Sequence, residues 1–247
     1  MGYGEGDATV GELVAAIRDG LAALADPAKA EPMRAYMKST MAFRGVPSPA
    51  RRAMQREVLA AHPLPDGGAW LATVMTLWRE AAFREERYAA VDLFTGRPAA
   101  RWRTPALVPV VEELLVGGAW WDLVDPVATH ALGDLLRRFH AELRPVVLAW
   151  SGAGDMWLRR ASIICQIGSK AATDTELLQA CIGANTGQRD FFIRKAIGWA
   201  LREHAKTDPA WVRACLRARW DELSPLSRRE AAKHLGGATG MTSEEAL

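Results

Sequence analysis

An all-α solenoid of helical repeats is the fold the sequence predicts, on three observations. Apolar residues recur at intervals of three and four almost throughout, the interruptions are short and rich in Pro, Gly, Asp or Ser, and one segment repeats at a fixed interval. No alternating strand pattern and no Asn-Gly hairpin breaks the series.

The first helix covers residues 10–24, where Leu13, Ile17, Leu21 and Leu24 share one face. Helices are then predicted over 49–61, 68–80, 82–94, 105–116, 121–139, 143–150, 155–168, 174–184, 189–205, 209–219 and 226–235. The breaks GVPSP (45–49), HPLPDGG (62–68), TGRP (95–98) and SGAGD (151–155) are too short for anything but tight reversals. Short breaks between helices of this length place neighbours antiparallel. One domain is expected over 1–236, with 237–247 as a flexible tail.

MWLRRAS (156–162) aligns with FFIRKAI (191–197) at a shift of 35, which matches Leu158 to Ile193, Arg159 to Arg194, Arg160 to Lys195 and Ala161 to Ala196. A further shift of 35 brings Glu230 and Ala231 onto the same positions, and a backward shift from Arg160 lands on Asp125. Repeats of this length stack so that equivalent positions line one surface. Asp125, Arg160 and Lys195 are therefore expected to project from successive repeats onto one face.

Composition narrows the function classes. No apolar run approaches the roughly 20 residues of a membrane span, so no membrane partner is expected. Three widely spaced cysteines, Cys165, Cys181 and Cys215, fit neither a disulfide framework nor a CxxC metal site, and point to a reducing cytoplasm. The histidines show no metal-ligand spacing, and HEXXH and GxSxG are absent, so no metal site and no serine-hydrolase nucleophile is expected. Cys181 reads as a buried, inert thiol rather than a nucleophile.

Charge is uneven behind a formal net charge of +2. Residues 1–136 carry 14 basic and 17 acidic side chains, and residues 137–236 carry 17 and 10. A basic second half fits a polyanionic partner as well as a merely solvated surface.

In AWWDLVD (119–125), Trp121 and Asp125 are four apart and share a helix face. Asp125 precedes Pro126, which also fits a helix N-cap or a first-turn acid at the positive end of the dipole. Arg160 is suited either to a bidentate phosphate contact or to a salt bridge. Trp199 lies one turn beyond Lys195. Trp120 and Trp157 read as core.

PAKAEPMRAYMKS (27–39), FRGVPSPARR (43–52), AWWDLVD, WLRRA, FFIRKAIGWALREHAKT (191–207) and LSPLSRREAAKHL (223–235) together resemble the AlkD-like family of DNA alkylation repair glycosylases, over residues 27–236. The resemblance implies a right-handed solenoid of HEAT-like repeats, a curved superhelix with a concave groove for duplex DNA. It also implies excision of cationic N3- and N7-alkylated purines in base excision repair, with no cofactor, by a cytoplasmic, nucleoid-associated monomer. It places the catalytic carboxylate on Asp125, the cleft tryptophans on Trp121 and Trp199, the cleft arginine on Arg160 and a DNA-proximal tyrosine on Tyr36. Arg159, Arg189, Arg194 and Lys195 are the further candidates for the groove. The family also holds members that bind damaged or branched DNA without chemistry, and retention of Asp125 and both tryptophans favours the enzyme.

Overall fold

The computed structural model describes residues 3–235, with side chains described from residue 9 onward. The expected tail at 237–247 lies outside the described residues. Among those residues the chain is all-helical, apart from one isolated parallel bridge between Ala42 and Phe83. Its helices group into two compact units that divide after Trp102.

The first unit contains α1 (Tyr3–Ala23), α2 (Pro27–Tyr36), α3 (Ser48–Ala61), α4 (Gly67–Arg79) and α5 (Arg84–Thr95). The apolar stripe read from the sequence supplies its core, since Leu13, Ile17 and Leu21 are fully buried. Trp70 stacks on Phe94 at 5.5 Å and donates its indole N–H to the Leu93 carbonyl. The helix α2 was not predicted, and the reason is physical: it buries no residue, so it has no apolar period to read. Asp26 and Pro27 start it instead, the Asp26 carboxylate accepting from the Ala28 N–H.

The turn between α2 and α3 is organised by a buried acid. Glu85, fully buried at the start of α5, accepts from the backbone N–H groups of Arg44, Gly45 and Val46. Gly45 has φ +81°, and a Cβ there would meet the Asp26 carbonyl at 2.1 Å, so only glycine fits this turn.

The second unit contains α6 (Val108–Gly118), α7 (Trp121–Pro126), α8 (Gly133–Arg138), α9 (His140–Ser151), α10 (Met156–Ile164), α11 (Thr175–Gly183), α12 (Phe191–Ala205), α13 (Pro209–Ala218) and α14 (Pro225–Ala232). Helix α10 is its hub, packing against α6, α7, α9, α11 and α12, and α14 lies along α12. The sequence repeat extends to the caps. Asp155 and Asp190, one repeat apart, each accept from two backbone N–H groups at the starts of α10 and α12. Two glycines allow close helix approach: a Cβ on Gly133 would meet the Cys165 carbonyl at 2.3 Å, and one on Gly198 would meet Glu230 Cβ at 2.5 Å.

The single helix predicted over 121–139 is in fact three consecutive pieces. Between α7 and α8, residues Val127–Leu132 form a π-helical segment, closed by the Gly133 N–H on the Ala128 carbonyl. Pro126 immediately precedes it and has no N–H to continue the α ladder of α7.

Candidate active site

The structure places Asp125 at the end of α7, inside a continuous helical stretch, not at its start. The N-cap position belongs to Trp120, whose extended backbone precedes α7 without a side-chain cap bond. The helix-cap reading of Asp125 is therefore corrected. Its backbone carbonyl accepts from the Thr129 hydroxyl at 2.8 Å, across the point where Pro126 interrupts the ladder.

The Asp125 side chain meets Arg160, on α10, in a bidentate ion pair. Arg160 Nε donates to Oδ1 at 2.7 Å and Nη2 to Oδ2 at 2.8 Å. The third guanidinium nitrogen, Nη1, donates to the Phe192 carbonyl in the first turn of α12 at 2.6 Å. Arg160 therefore ties α7, α10 and α12 together. Its side chain is 5% exposed and that of Asp125 14%.

This placement departs from the groove position expected for Arg160. A cation that deep has to find its partners inside the protein, and the carboxylate one repeat earlier together with a helix carbonyl supply them. The bonds of Arg160 go to Asp125 and the Phe192 carbonyl, and its side chain is buried.

Burial pushes the Asp125 carboxyl above its ordinary value, against the hydrogen bonds and charge of Arg160, and the nearby Asp122 carboxylate adds to the rise. The bidentate contact uses one lone-pair direction on each oxygen and leaves the others open. The site thus holds a desolvated acid with a fixed orientation.

Trp121 lies one turn before Asp125 on α7 and is half-buried. Trp199 is half-buried on α12, one turn past Lys195. Neither indole stacks on another ring among the described residues. A further aromatic cluster was not assembled from the sequence. Trp120, Trp157 and Phe192 meet with ring centroids 5.1 to 6.2 Å apart, and the Arg160 guanidinium lies 5.9 Å from the Phe192 ring. Trp157 and Phe192 are equivalent positions of the 35-residue repeat, the signal that could have found the cluster.

The cationic candidates divide. Lys195 pairs with Glu230 at 2.8 Å, so it too meets the residue one repeat away. Glu230 also holds Arg202 at 2.5 Å and Lys233 at 2.7 Å. Burial works against its charge, yet the bonds from Lys195 and Lys233 bring its carboxyl down to about 2. Arg159 donates to the Ala153 carbonyl, and Arg194 is half-buried with Nε on the Asp190 carbonyl at 3.3 Å. Arg189 is exposed in the turn before α12. Tyr36, 73% exposed, ends α2 in the first unit.

Among the described residues no group of three or more His, Cys, Asp or Glu is disposed to hold a metal ion, and no helix is long and apolar enough to cross a membrane.

The family model described as DNA alkylation repair enzyme matches residues 17–235. Among solved structures the chain is similar to a "Predicted DNA alkylation repair enzyme from Enterococcus faecalis", with 31% identity and a TM-score of 0.77 over 87% of this chain and 98% of that one. No curated protein matches.

Proposed function

The chain belongs to the DNA alkylation repair enzyme family, and from that premise we propose that it is a monofunctional DNA glycosylase of the AlkD-like type, which hydrolyses the N-glycosidic bond of cationic N3- and N7-alkylated purines in duplex DNA. One observation carries the reading: the largely desolvated carboxylate of Asp125, on the same helix as the half-buried Trp121, is held through both oxygens by Arg160 of α10.

Alkylation at N7 or N3 makes the purine a formal cation, so it leaves without a general acid. The barrier then lies in the positive charge that grows on the deoxyribose as the C1′–N bond stretches. A carboxylate about 4 Å away, at an effective dielectric near 20, stabilises that charge by roughly 4 kcal/mol. That corresponds to about a thousandfold in rate. An effect of this size completes the departure of a cationic base and leaves a neutral base in place.

In this mechanism Asp125 stabilises the oxocarbenium-like sugar and orients the attacking water. Arg160 is a positioning residue: it fixes the carboxylate plane and keeps it ionised against burial. Trp121 and Trp199 hold the cationic nucleotide and its sugar against indole faces, each contact contributing roughly 0.5 to 2 kcal/mol. Arg159, Arg189, Arg194, Lys195 and Tyr36 make phosphate or backbone contacts, which position the duplex without reading sequence.

The test is release of free 7-methylguanine from methylated duplex DNA. The wild-type chain releases it, and Asp125→Asn retains DNA binding while losing most of the release. No release anywhere between about pH 6 and 8 would rule the reading out.

A further inference from the structure

Within the second unit, the end of α10, the turn that follows it, α11 and the end of α12 line an open cavity of about 330 Å³ that the proposed chemistry does not use. Its inner wall is aliphatic, formed by Ile163, Ile167, Leu178 and Ala200. Its remaining wall includes His204, which is 8% exposed and bonds no protein group through either ring nitrogen. Burial lowers the His204 pKa, with Asp208 opposing, so the ring is neutral at pH 7. A neutral imidazole carries one N–H donor and one lone pair, and here both are desolvated without compensation. The Trp211 ring stands edge-on to it at 5.2 Å.

The rim is cationic. Lys170 has a left-handed backbone, φ +53°, two residues after Gly168 at φ +88°, and its exposed side chain makes no ion pair among the described residues. Lys206 also lines the cavity, held on Glu203 at 2.7 and 2.9 Å. Glu203 is thereby balanced, and Lys170 leaves the rim one positive charge in excess. A backbone that holds a non-glycine residue in the left-handed region costs energy, and such strain persists where the surroundings fix it.

We propose that this cavity binds a nucleoside monophosphate. The aliphatic wall suits a flat apolar ring, and a base edge that both donates and accepts matches a neutral imidazole with two unmet bonds. A phosphate suits the Lys170 ammonium, unpaired among the described residues, with the Thr207 hydroxyl also in the lining. The volume is at the lower end for small-molecule sites, sufficient for a base and its sugar. Because α12 also carries Lys195 and Trp199, the ligand would seat on the same helix as part of the candidate active site.

Calorimetric titration of the full chain with AMP tests the proposal, alongside adenosine, inorganic phosphate and the ring signals of His204 by NMR. AMP is expected to bind with a Kd below about 1 mM and to shift the His204 signals, with adenosine and phosphate at least about tenfold weaker. Lys170→Gln, on the rim, weakens AMP by about tenfold, and Ile167→Phe, which narrows the slot, abolishes binding while the fold is retained. Base release from alkylated DNA stays unchanged in Lys170→Gln, so the failure of one reading is separable from that of the other. Absence of AMP binding up to about 5 mM, equal affinity for inorganic phosphate, or an unchanged Kd in Lys170→Gln would each overturn it.

Discussion

Arg160 reaches Asp125 from one repeat further along the chain and occupies both of its oxygens, while its last nitrogen holds the Phe192 carbonyl of the next repeat. A buried pair of this kind is sensitive to the loss of one member and tolerant of the loss of both. Arg160→Met leaves a desolvated carboxylate and is expected to cost about 3 to 5 kcal/mol by urea denaturation. The double variant Asp125→Leu with Arg160→Met is expected to recover most of that loss. Additive losses in the two single variants and the double variant would show that the pair is not coupled.

Close approach of α12 and α14 depends on Gly198. A Cβ there falls 2.5 Å from Glu230 Cβ and 3.0 Å from the Ser227 carbonyl. Gly198→Ala gains helix propensity of roughly 0.5 to 1 kcal/mol, but the overpacking costs about 1 to 3 kcal/mol. The net expectation is a lower urea midpoint and, because Trp199 is the next residue, weaker base release. A midpoint equal to or above that of the parent would show that α14 shifts freely.

Much of this was legible in the sequence, and the exceptions have causes. The apolar period found every helix that buries a face, and it missed α2 because that helix buries none. The shift of 35 aligned Asp125, Arg160, Lys195 and Glu230, but a repeat gives equivalence of position, not the direction of each side chain. What it left out is that opposite charges at one repeat's distance pair with each other: Asp125 with Arg160, and Lys195 with Glu230. The sign pattern, acid-base then base-acid, was the available clue. The π-helical segment was not readable beyond Pro126 itself, since how a helix accommodates a missing N–H depends on what packs around it.

Glu230 makes an acid-range contribution to stability. Its folded carboxyl sits at about 2 against an ordinary 4.5, so the stabilisation is fully present above the higher value and is lost as pH falls toward the lower. Because Lys195 and Lys233 are partly exposed, the contribution is discounted to about 2 kcal/mol. Glu230→Gln is expected to flatten the fall of stability between those two pH values in urea titrations. A slope unchanged from the parent would remove Glu230 from the acid transition.

The three buried thiols are expected to be inert in the native state. Burial pushes Cys165 up far beyond the usual range and Cys181 to about 11, and raises Cys215 as well. All three are buried and free. No thiol is expected to react with a disulfide reagent at pH 8 under native conditions, and all three are expected to react once the chain is unfolded in guanidinium. Rapid native labelling of Cys181 would restore it as a nucleophile.

The pH profile of base release discriminates a working carboxylate from a structural one. In the proposed mechanism Asp125 acts when ionised, and burial raises its pKa above 3.8, so the acid limb of the rate is expected above that value. Arg160 opposes the rise, and its removal in Arg160→Met therefore moves the limb to higher pH while lowering the plateau. Arg160→Lys keeps a charge beside Asp125 but not the bidentate fork or the bond to Phe192, so the limb moves less and the plateau still falls, by about tenfold to a hundredfold. The stability sign runs opposite to that of Glu230: a raised carboxyl makes its ionised form a cost that grows as pH climbs through the folded pKa. Rates from single-turnover release across pH, read beside urea midpoints at the same pH, separate the two effects. A limb that stays in place in both variants would mean that the titrating group is not Asp125.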